Sequence, residues 1–143
     1  MRIKIIIAIL IFILCASLAA CKSAGKTDGA EIDYGSSSKF SEAEIGSAVD
    51  AVLVKFKDFE GCELIKVRYD EERSDLQAEN YMEKGIGRHN GVERENVIVL
   101  LSDFKTSSKS GASFNPDSTY TDWNWILIRN SSADDWVVSD WGY

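Results

Sequence analysis

The sequence contains few of the residues on which several classes of protein depend. Its 143 residues include one proline, one histidine and three cysteines. So few histidines and cysteines exclude a zinc finger, a histidine-rich metal site and a disulfide scaffold. Basic side chains are also scarce, 16 against 23 acidic ones, which gives a formal charge of −7. The sequence therefore lacks the basic surface that binding to nucleic acid requires.

Motifs for phosphate, metal or nucleophile chemistry are missing as well. The chain has no glycine-rich phosphate loop, no G-x-S-x-G, no H-E-x-x-H and no calcium-loop pattern. We therefore expect no cofactor and no metal. The length and a hydrophobic content of 45% fit one ordinary domain.

The N-terminus carries the most specific pattern of the chain. A short positive segment, Met1 to Lys4, precedes an unbroken apolar run over residues 5–16. This run is shorter than the roughly 20 residues that cross a bilayer, but it is typical of the apolar region of a signal peptide. The sequence predicts a signal peptide over residues 1–20 and a domain outside the cytoplasm.

The apolar run is followed by Leu18-Ala19-Ala20-Cys21, which resembles the lipobox of bacterial lipoproteins. The resemblance implies that Cys21 receives a diacylglyceryl thioether and becomes the first residue of the mature chain. Two acyl chains would hold the protein stably at the cell membrane. The alternative is an uncleaved N-terminal anchor, which gives the same location. The resemblance fits an inner or an outer membrane equally well.

Residues 21–39 are expected to form the lipidated cysteine and a flexible tether. The segment is rich in Gly, Ser, Ala, Lys and Asp, and such a composition buries too little apolar surface to offset the entropy of ordering. Only Ile32 and Tyr34 are candidates for docking. The tether would reach on the order of 20–25 Å. Losing Arg2 and Lys4 with the signal peptide takes the charge from −7 to −9, so we expect the domain to stand off an anionic bilayer.

The remaining residues, 40–143, are predicted to form a single α+β domain. Ser41 and Glu44 have the spacing of a capping box, and an apolar stripe follows, so we predict a helix over 42–58. Alternating and apolar runs predict strands over 62–69, 96–104, 121–129 and 136–141, with a short helix from Ser74 to about Lys84 and a loop over 85–91. We expect a curved antiparallel sheet of about four strands packed against one long N-terminal helix.

Three segments of this domain carry a family resemblance: DFEGC (58–62), ENVIVLLSDF (95–104) and DWNWILIRNSSADDWVVSDWGY (122–143). Together with the lipobox and the leading helix, they resemble the DUF4829-type bacterial lipoproteins and, more broadly, cystatin-like or NTF2-like domains. The resemblance implies an α+β fold with a cone between helix and sheet. Because NTF2-like domains include enzymes, carriers and structural modules, it implies no particular activity.

Tryptophan is concentrated near the C-terminus, at positions 123, 125, 136 and 141. Trp123, Trp125, Trp136 and Trp141 are candidate ligand-binding residues, because aromatic rings can form the wall of a pocket and stack on a flat ligand. The alternative is that the rings pack in the core. Cys62, the one cysteine with a free thiol once Cys15 is removed and Cys21 is lipidated, is predicted to be a small buried hydrophobic residue at the start of a strand.

Candidate catalytic residues are few. Asp140 is expected to share a strand face with Trp136 and to point inward, where it would be a base with Tyr69 as donor or with His89 as partner. Since nothing in the sequence places these residues together, we favour a non-catalytic module that binds a small hydrophobic ligand or a surface protein. The alternatives are an NTF2-like enzyme acting on a small hydrophobic ligand and a dimerising structural module of the cell envelope.

Overall fold

The computed structural model describes residues 23–143, so the predicted signal peptide and Cys21 lie outside the described residues. Five strands form one open sheet in the order β1 to β5, in which β1 is parallel to β2 and every other pair is antiparallel. The strands are β1 (Glu31–Asp33), β2 (Cys62–Arg68), β3 (Val97–Thr106), β4 (Thr119–Ile128) and β5 (Val137–Gly142); the helices are α1 (Glu42–Phe56), α2 (Glu71–Lys84) and α3 (Gly87–Asn90), with a 3-10 turn at Arg94–Asn96. The α+β class and the mostly antiparallel sheet are confirmed; the predicted count of four strands is wrong.

Helix α1 begins where the sequence predicted. The Ser41 hydroxyl accepts from the Glu44 N–H, and the Glu44 carboxylate accepts from the Ser41 N–H, which completes the capping box. The stripe that packs on the sheet consists of Ile45, Ala48, Val49, Val52 and Phe56. Helix α1 therefore packs along one face of the sheet, where most of the core lies.

The prediction of one long helix is wrong, because α2 covers the other face. Its first turn is capped by Asp70, whose side chain accepts from the Arg73 N–H, and not by Ser74. The buried residues of α2 are small or polar, Ser74, Ala78 and Tyr81, so the segment has little apolar periodicity. Strand β3 lies between the two helices and is buried on both faces, as its apolar sequence predicted.

Residues 23–39 do not form the flexible tether that their composition predicted. Strand β1 pairs in parallel with β2, with Ile32 opposite Val67, and Lys26 bridges to Glu63. The composition argument counted apolar side chains, but an edge strand is stabilised largely by backbone hydrogen bonds. The first strand therefore begins at Glu31, and an isolated bridge at Lys26 extends the backbone pairing towards the start of the described residues.

A bulge in β2 changes which of its residues are buried. Strict alternation along β2 would place Ile65 on the same face as Val67, but the pairing with β3 shifts between Leu64 and Lys66. As a result Ile65 is 42% exposed, while Cys62, Leu64 and Val67 are buried. An extra residue in one strand reverses the alternation beyond it.

Candidate ligand-binding cleft

The most unusual buried side chain of the described region is Arg129, which follows the end of β4. It is 8% exposed, although arginine is rarely buried without partners. Its backbone N–H donates to the carbonyl of Asn96 at 3.1 Å, so the sheet pairing fixes its position. The residue directly before it, Ile128, pairs with both Val97 and Val137. Arg129 therefore lies on a rigid part of the fold.

Three neighbours hold the guanidinium group of Arg129. Its Nη2 lies 2.8 Å from Oε1 of Glu44, and its Nε donates to Oδ1 of Asn96 at 3.3 Å. Its Cζ lies 4.2 Å from the ring centroid of Trp136, in a cation–π contact. The Trp136 ring is itself fixed, because its Nε1 donates to the carbonyl of Glu44 at 3.0 Å. Among residues 23–143, no hydrogen bond or ion pair involves Nη1.

Glu44 links this group to the start of α1. Its Oε2 accepts from the Ser41 N–H at 2.9 Å, while Oε1 faces Arg129. The Ser41 hydrogen bond, followed by the one from Arg129, holds the pKa of Glu44 below its usual value. Glu44 is therefore a carboxylate at neutral pH and keeps Arg129 paired.

Arg129 lines an open cleft with a volume of about 430 Å³, which we call the arginine cleft. Its other lining residues come from the α1 entry, the 3-10 turn and the turn after β4: Lys39, Phe40, Glu44, Glu93, Glu95, Asn96, Asn130, Ser131 and Ser132. A second cavity of about 380 Å³ shares Lys39, Phe40 and Glu95 with it and adds Arg94. Charges of both signs along the wall favour a small polar ligand over the hydrophobic one expected from the sequence.

The four tryptophans lie in different surroundings. Trp125 is fully buried, and its Nε1 donates to Oγ of Ser102 at 2.8 Å. Trp136 lies behind Arg129. Trp123 and Trp141 belong to an aromatic cluster near the end of β5, with the Trp123 and Tyr143 ring centroids 5.2 Å apart. Trp136 alone of the four contacts a residue of the arginine cleft.

The space between α1 and the sheet is filled by side chains. Trp125, Phe56 and Leu100 are completely buried there, and the ring centroids of Phe56 and Trp125 are 6.3 Å apart. The cone that the resemblance implied is occupied by this core.

Asp140 does not share a strand face with Trp136 as predicted. The β4–β5 pairing shifts between Ile126 and Leu127, so that Asp140 lies opposite Ile126. Since directly opposed residues point to the same side, Asp140 lies on the α2 side with Ile126, whereas Trp136 packs on the α1 side. Its carboxylate accepts from the N–H of Trp141 at 2.9 Å.

Neither Tyr69 nor His89 forms a hydrogen bond or ion pair with Asp140 among the described residues. Tyr69 is buried on the α1 side of β2, and its hydroxyl lies 3.3 Å from Oγ of Ser37. Burial is the main cause that raises its pKa. His89 is exposed on α3. Because β3 and β4 lie between β2, which Tyr69 follows, and β5, which contains Asp140, the fold keeps Tyr69 and Asp140 apart.

Cys62 has the environment that the sequence predicted. It is 2% exposed, and burial raises the pKa of its thiol to about 11. A thiol of this kind is a poor nucleophile at neutral pH. Among residues 23–143 no group of three His, Cys, Asp or Glu side chains is placed to hold a metal ion.

The sequence analysis missed two charged groups. One is the arginine cleft, which needs the pairing of β4 with the distant α1 entry. The other lies on a bulge of β3, where Oδ1 of Asp103 accepts from the Asp122 N–H at 2.9 Å and from Arg68 at 3.2 Å. Asp122 also pairs with Arg68 and has a positive φ of 57°. No local pattern marks either group, since each joins residues more than thirty positions apart in the chain.

Comparison with known proteins gives one match. Residues 40–142 match a family described as a domain of unknown function, DUF4829. The match runs from the residue before the α1 cap to the end of β5. No curated protein and no solved structure matches the chain. Among the described residues, no helix has both the length and the apolar character to cross a membrane.

Proposed function

The chain belongs to the DUF4829 family, whose description names no activity, and we propose that it is a lipid-anchored, extracytoplasmic module that binds a small ligand without chemical conversion. Its ligand would occupy the arginine cleft. The proposal has two parts, an anchor at Cys21 and a binding site at Arg129, and each can be tested separately.

The observation that carries the binding site is the fixed guanidinium of Arg129. Glu44, Asn96 and Trp136 hold it in one orientation, so little side-chain entropy is lost when a ligand binds. The free Nη1 suits a carboxylate, carbonyl or phosphate oxygen. Glu93 and Glu95, which also line the cleft, suit an ammonium group, so a small zwitterionic ligand fits the charges of the cleft.

The anchor is supported by the sequence. The charged start, the apolar run and Leu18-Ala19-Ala20-Cys21 occur in the order that a lipoprotein signal requires. The proposed location is the outer side of a cell membrane, held by lipid on Cys21. A relationship to cystatin-like or NTF2-like domains is also part of the proposal, and its support is α1 packed along a mostly antiparallel sheet.

The non-catalytic character is supported by the separation of the candidate catalytic groups. Tyr69 packs on the α1 side of the sheet and Asp140 lies on the α2 side, and the Cys62 thiol is buried. Around Arg129, the hydrogen bonds from Ser41 and Arg129 hold the pKa of Glu44 below its usual value, so its carboxylate is a weak general base.

The cleft can be tested by filling it. Ser132 lines the cleft and is exposed, whereas its exposed neighbour Ala133 does not line it. We expect native mass spectrometry of the full chain, extracted from its own membranes, to show a small-molecule adduct on the wild type and on Ala133→Trp but not on Ser132→Trp. An adduct that persists on Ser132→Trp, or is absent from the wild type, contradicts binding in this cleft.

A dimerising module is a second candidate, favoured by the edge strand β5. Trp141 is 41% exposed and Tyr143 is 78% exposed at its end, and exposed aromatic residues on an unpaired edge can form an interface. Sedimentation of the wild type and of Trp141→Ser would test whether the chain dimerises through this edge. A concentration-dependent dimer that Trp141→Ser abolishes supports this candidate, and a monomer at all concentrations excludes it.

A further inference from the structure

The first described residues are bound to one end of the domain by backbone hydrogen bonds. The Gly25 N–H donates to the carbonyl of Lys57 at 3.0 Å, the Lys26 N–H donates to Cys62 at 2.9 Å, and the Gly61 N–H donates to Ser23 at 3.0 Å. A side chain at position 25 would place its Cβ 2.1 Å from the carbonyl oxygen of Phe56. The segment therefore packs closely against the end of α1 and the start of β2.

We define the anchor end as residues 23–29, 55–63 and 105–119. The last of these ranges joins the others through two backbone bonds, from the Ser107 N–H to the carbonyl of Gly61 at 2.9 Å and from the Gly111 N–H to Glu60 at 3.1 Å. Most of its loop over 107–118 is exposed and contains five serines, and the exposed hydroxyls of Ser108 and Ser113 make no hydrogen bond within residues 23–143.

The proposed lipid lies next to this end. Only one residue separates Cys21 from Ser23, and two residues span at most about 7 Å in any conformation. The acyl chains of a lipidated Cys21 would enter the bilayer at that distance from the anchor end. A domain fixed so close to its anchor cannot stand off the membrane by the 20–25 Å that a free tether of residues 22–39 would give.

The distribution of charge over the domain also favours contact between the anchor end and a membrane. The anchor end contains five lysines and five carboxylates, whereas the rest of residues 23–143 has eight basic and 18 acidic side chains. All of the net negative charge therefore lies away from the anchor end. An anionic bilayer would repel the acidic part and not the anchor end, where Lys26, Lys57 and Lys109 are exposed.

From these observations we infer that the anchor end lies directly against a bilayer containing anionic phospholipid, with the arginine cleft facing away. The inference rests on the proposed lipidation of Cys21. Strand β4 leads from the anchor end to Arg129 over ten residues, a distance of about 33 Å at 3.3 Å per residue. The cleft would thus open well outside the headgroup layer.

Two exposed serines at the two ends allow a matched test. Ser108 lies at the anchor end and Ser132 on the rim of the cleft, and neither side chain makes a hydrogen bond within residues 23–143. Ser108→Cys and Ser132→Cys would each carry one fluorophore, because Cys62 is buried and Cys21 is lipidated. The lipidated chain is reconstituted into vesicles of phosphatidylethanolamine and phosphatidylglycerol that carry a headgroup-attached quencher.

We expect strong quenching of the label on Ser108→Cys and almost none on Ser132→Cys. Equal quenching at both positions, or no quenching at either while the protein floats with the vesicles, overturns the inference but leaves lipid anchoring intact. Failure to float with the vesicles, together with no acyl mass on Cys21, overturns the anchor and the inference with it.

A charge-matched pair tests the role of the lysines. Lys57→Glu/Lys109→Glu and Lys84→Glu/Arg88→Glu change the net charge equally, and all four side chains are exposed. In the Ser108→Cys background, we expect the first pair of substitutions, and not the second, to lower the quenching in anionic vesicles. In vesicles of neutral lipid, we expect the first pair to be quenched as strongly as Ser108→Cys alone. The same loss from both pairs contradicts a local contact of the anchor end.

Discussion

The two ends of the domain are stabilised in different ways. At the arginine cleft, distant segments are joined by charged side chains, with Arg129 between Glu44 and Trp136. At the anchor end, distant segments are joined by backbone hydrogen bonds around Gly25 and Gly61. The first arrangement holds a polar group in one orientation, whereas the second gives a compact end. This difference is consistent with the proposed roles, ligand binding at the arginine cleft and attachment at the anchor end.

The largest effect is expected from Cys21→Ala. Without the thiol no thioether can form, so fatty-acid labelling should vanish and the protein should be released from the membrane or mislocalised. Cell fractionation and metabolic labelling measure both. Cys15→Ala is the control, because Cys15 precedes the predicted cleavage site. Undiminished label on Cys21→Ala would refute the lipid anchor.

The next largest effect concerns the cleft. Arg129→Met leaves the Glu44 carboxylate without its partner, and breaking a buried pair costs about 3–5 kcal/mol. Because the Glu44 side chain is 31% exposed, we expect a loss of about 2–3 kcal/mol in the free energy of unfolding, measured in urea. The double variant Glu44→Gln/Arg129→Met should recover part of the loss. If Arg129→Met is as stable as the wild type, the ion pair does not organise the cleft.

A smaller effect is expected at the anchor end. In Gly25→Ala, the new Cβ would meet backbone oxygens of Phe56 and Phe59 at 2.1 and 2.9 Å. Either residue 25 or the backbone at Phe56 and Phe59 must therefore move. We expect a cost of about 1–3 kcal/mol in unfolding free energy. Gly111→Ala is the control, since its Cβ would meet nothing within 4 Å. Equal stabilities for the two variants would show that residues 23–26 are not packed as described.

The smallest effect is a change in acid stability. Hydrogen bonds from Ser37 and Ser38 lower the pKa of Glu71 to about 2 from an ordinary value of 4.5. Since the folded pKa lies below the unfolded one, this stabilisation is complete above about pH 4.5 and is lost as the pH falls towards 2. Urea midpoints of Glu71→Gln should therefore fall less steeply across this range than those of the wild type. Glu72→Gln, which affects none of these bonds, should follow the wild type.

Features that depend only on residues close together in the chain were predicted correctly. The capping box at Ser41 and the apolar run of β3 are local patterns, and both predictions are confirmed. Three features were predicted wrongly: the start and cap of α2, whose buried face is small and polar; β1, which is stabilised by backbone bonds; and the face of Asp140, which a bulge reverses. None of these leaves a signal in hydrophobic periodicity.

The candidate cleft was harder to predict than the fold. Glu44 was identified only as a helix cap, and Arg129 only as the end of an apolar strand. Their contact joins residues 85 positions apart, at 2.8 Å, and depends on the register of β4 and the path of α1. Trp136 was a predicted ligand-binding residue, but its role beside Arg129 follows only from the three-dimensional arrangement.

The central claim is that the segment directly after Cys21 is part of the folded domain. Amide hydrogen exchange of the full lipidated chain in vesicles tests it most directly, at the Lys26 N–H, which donates to Cys62, and the Gly61 N–H, which donates to Ser23. We predict that both exchange at least about 100-fold more slowly than an unstructured peptide. Exchange of the Lys26 N–H at the unstructured rate, with β3 still protected, would mean that residues 23–26 form a free tether, and would contradict the account.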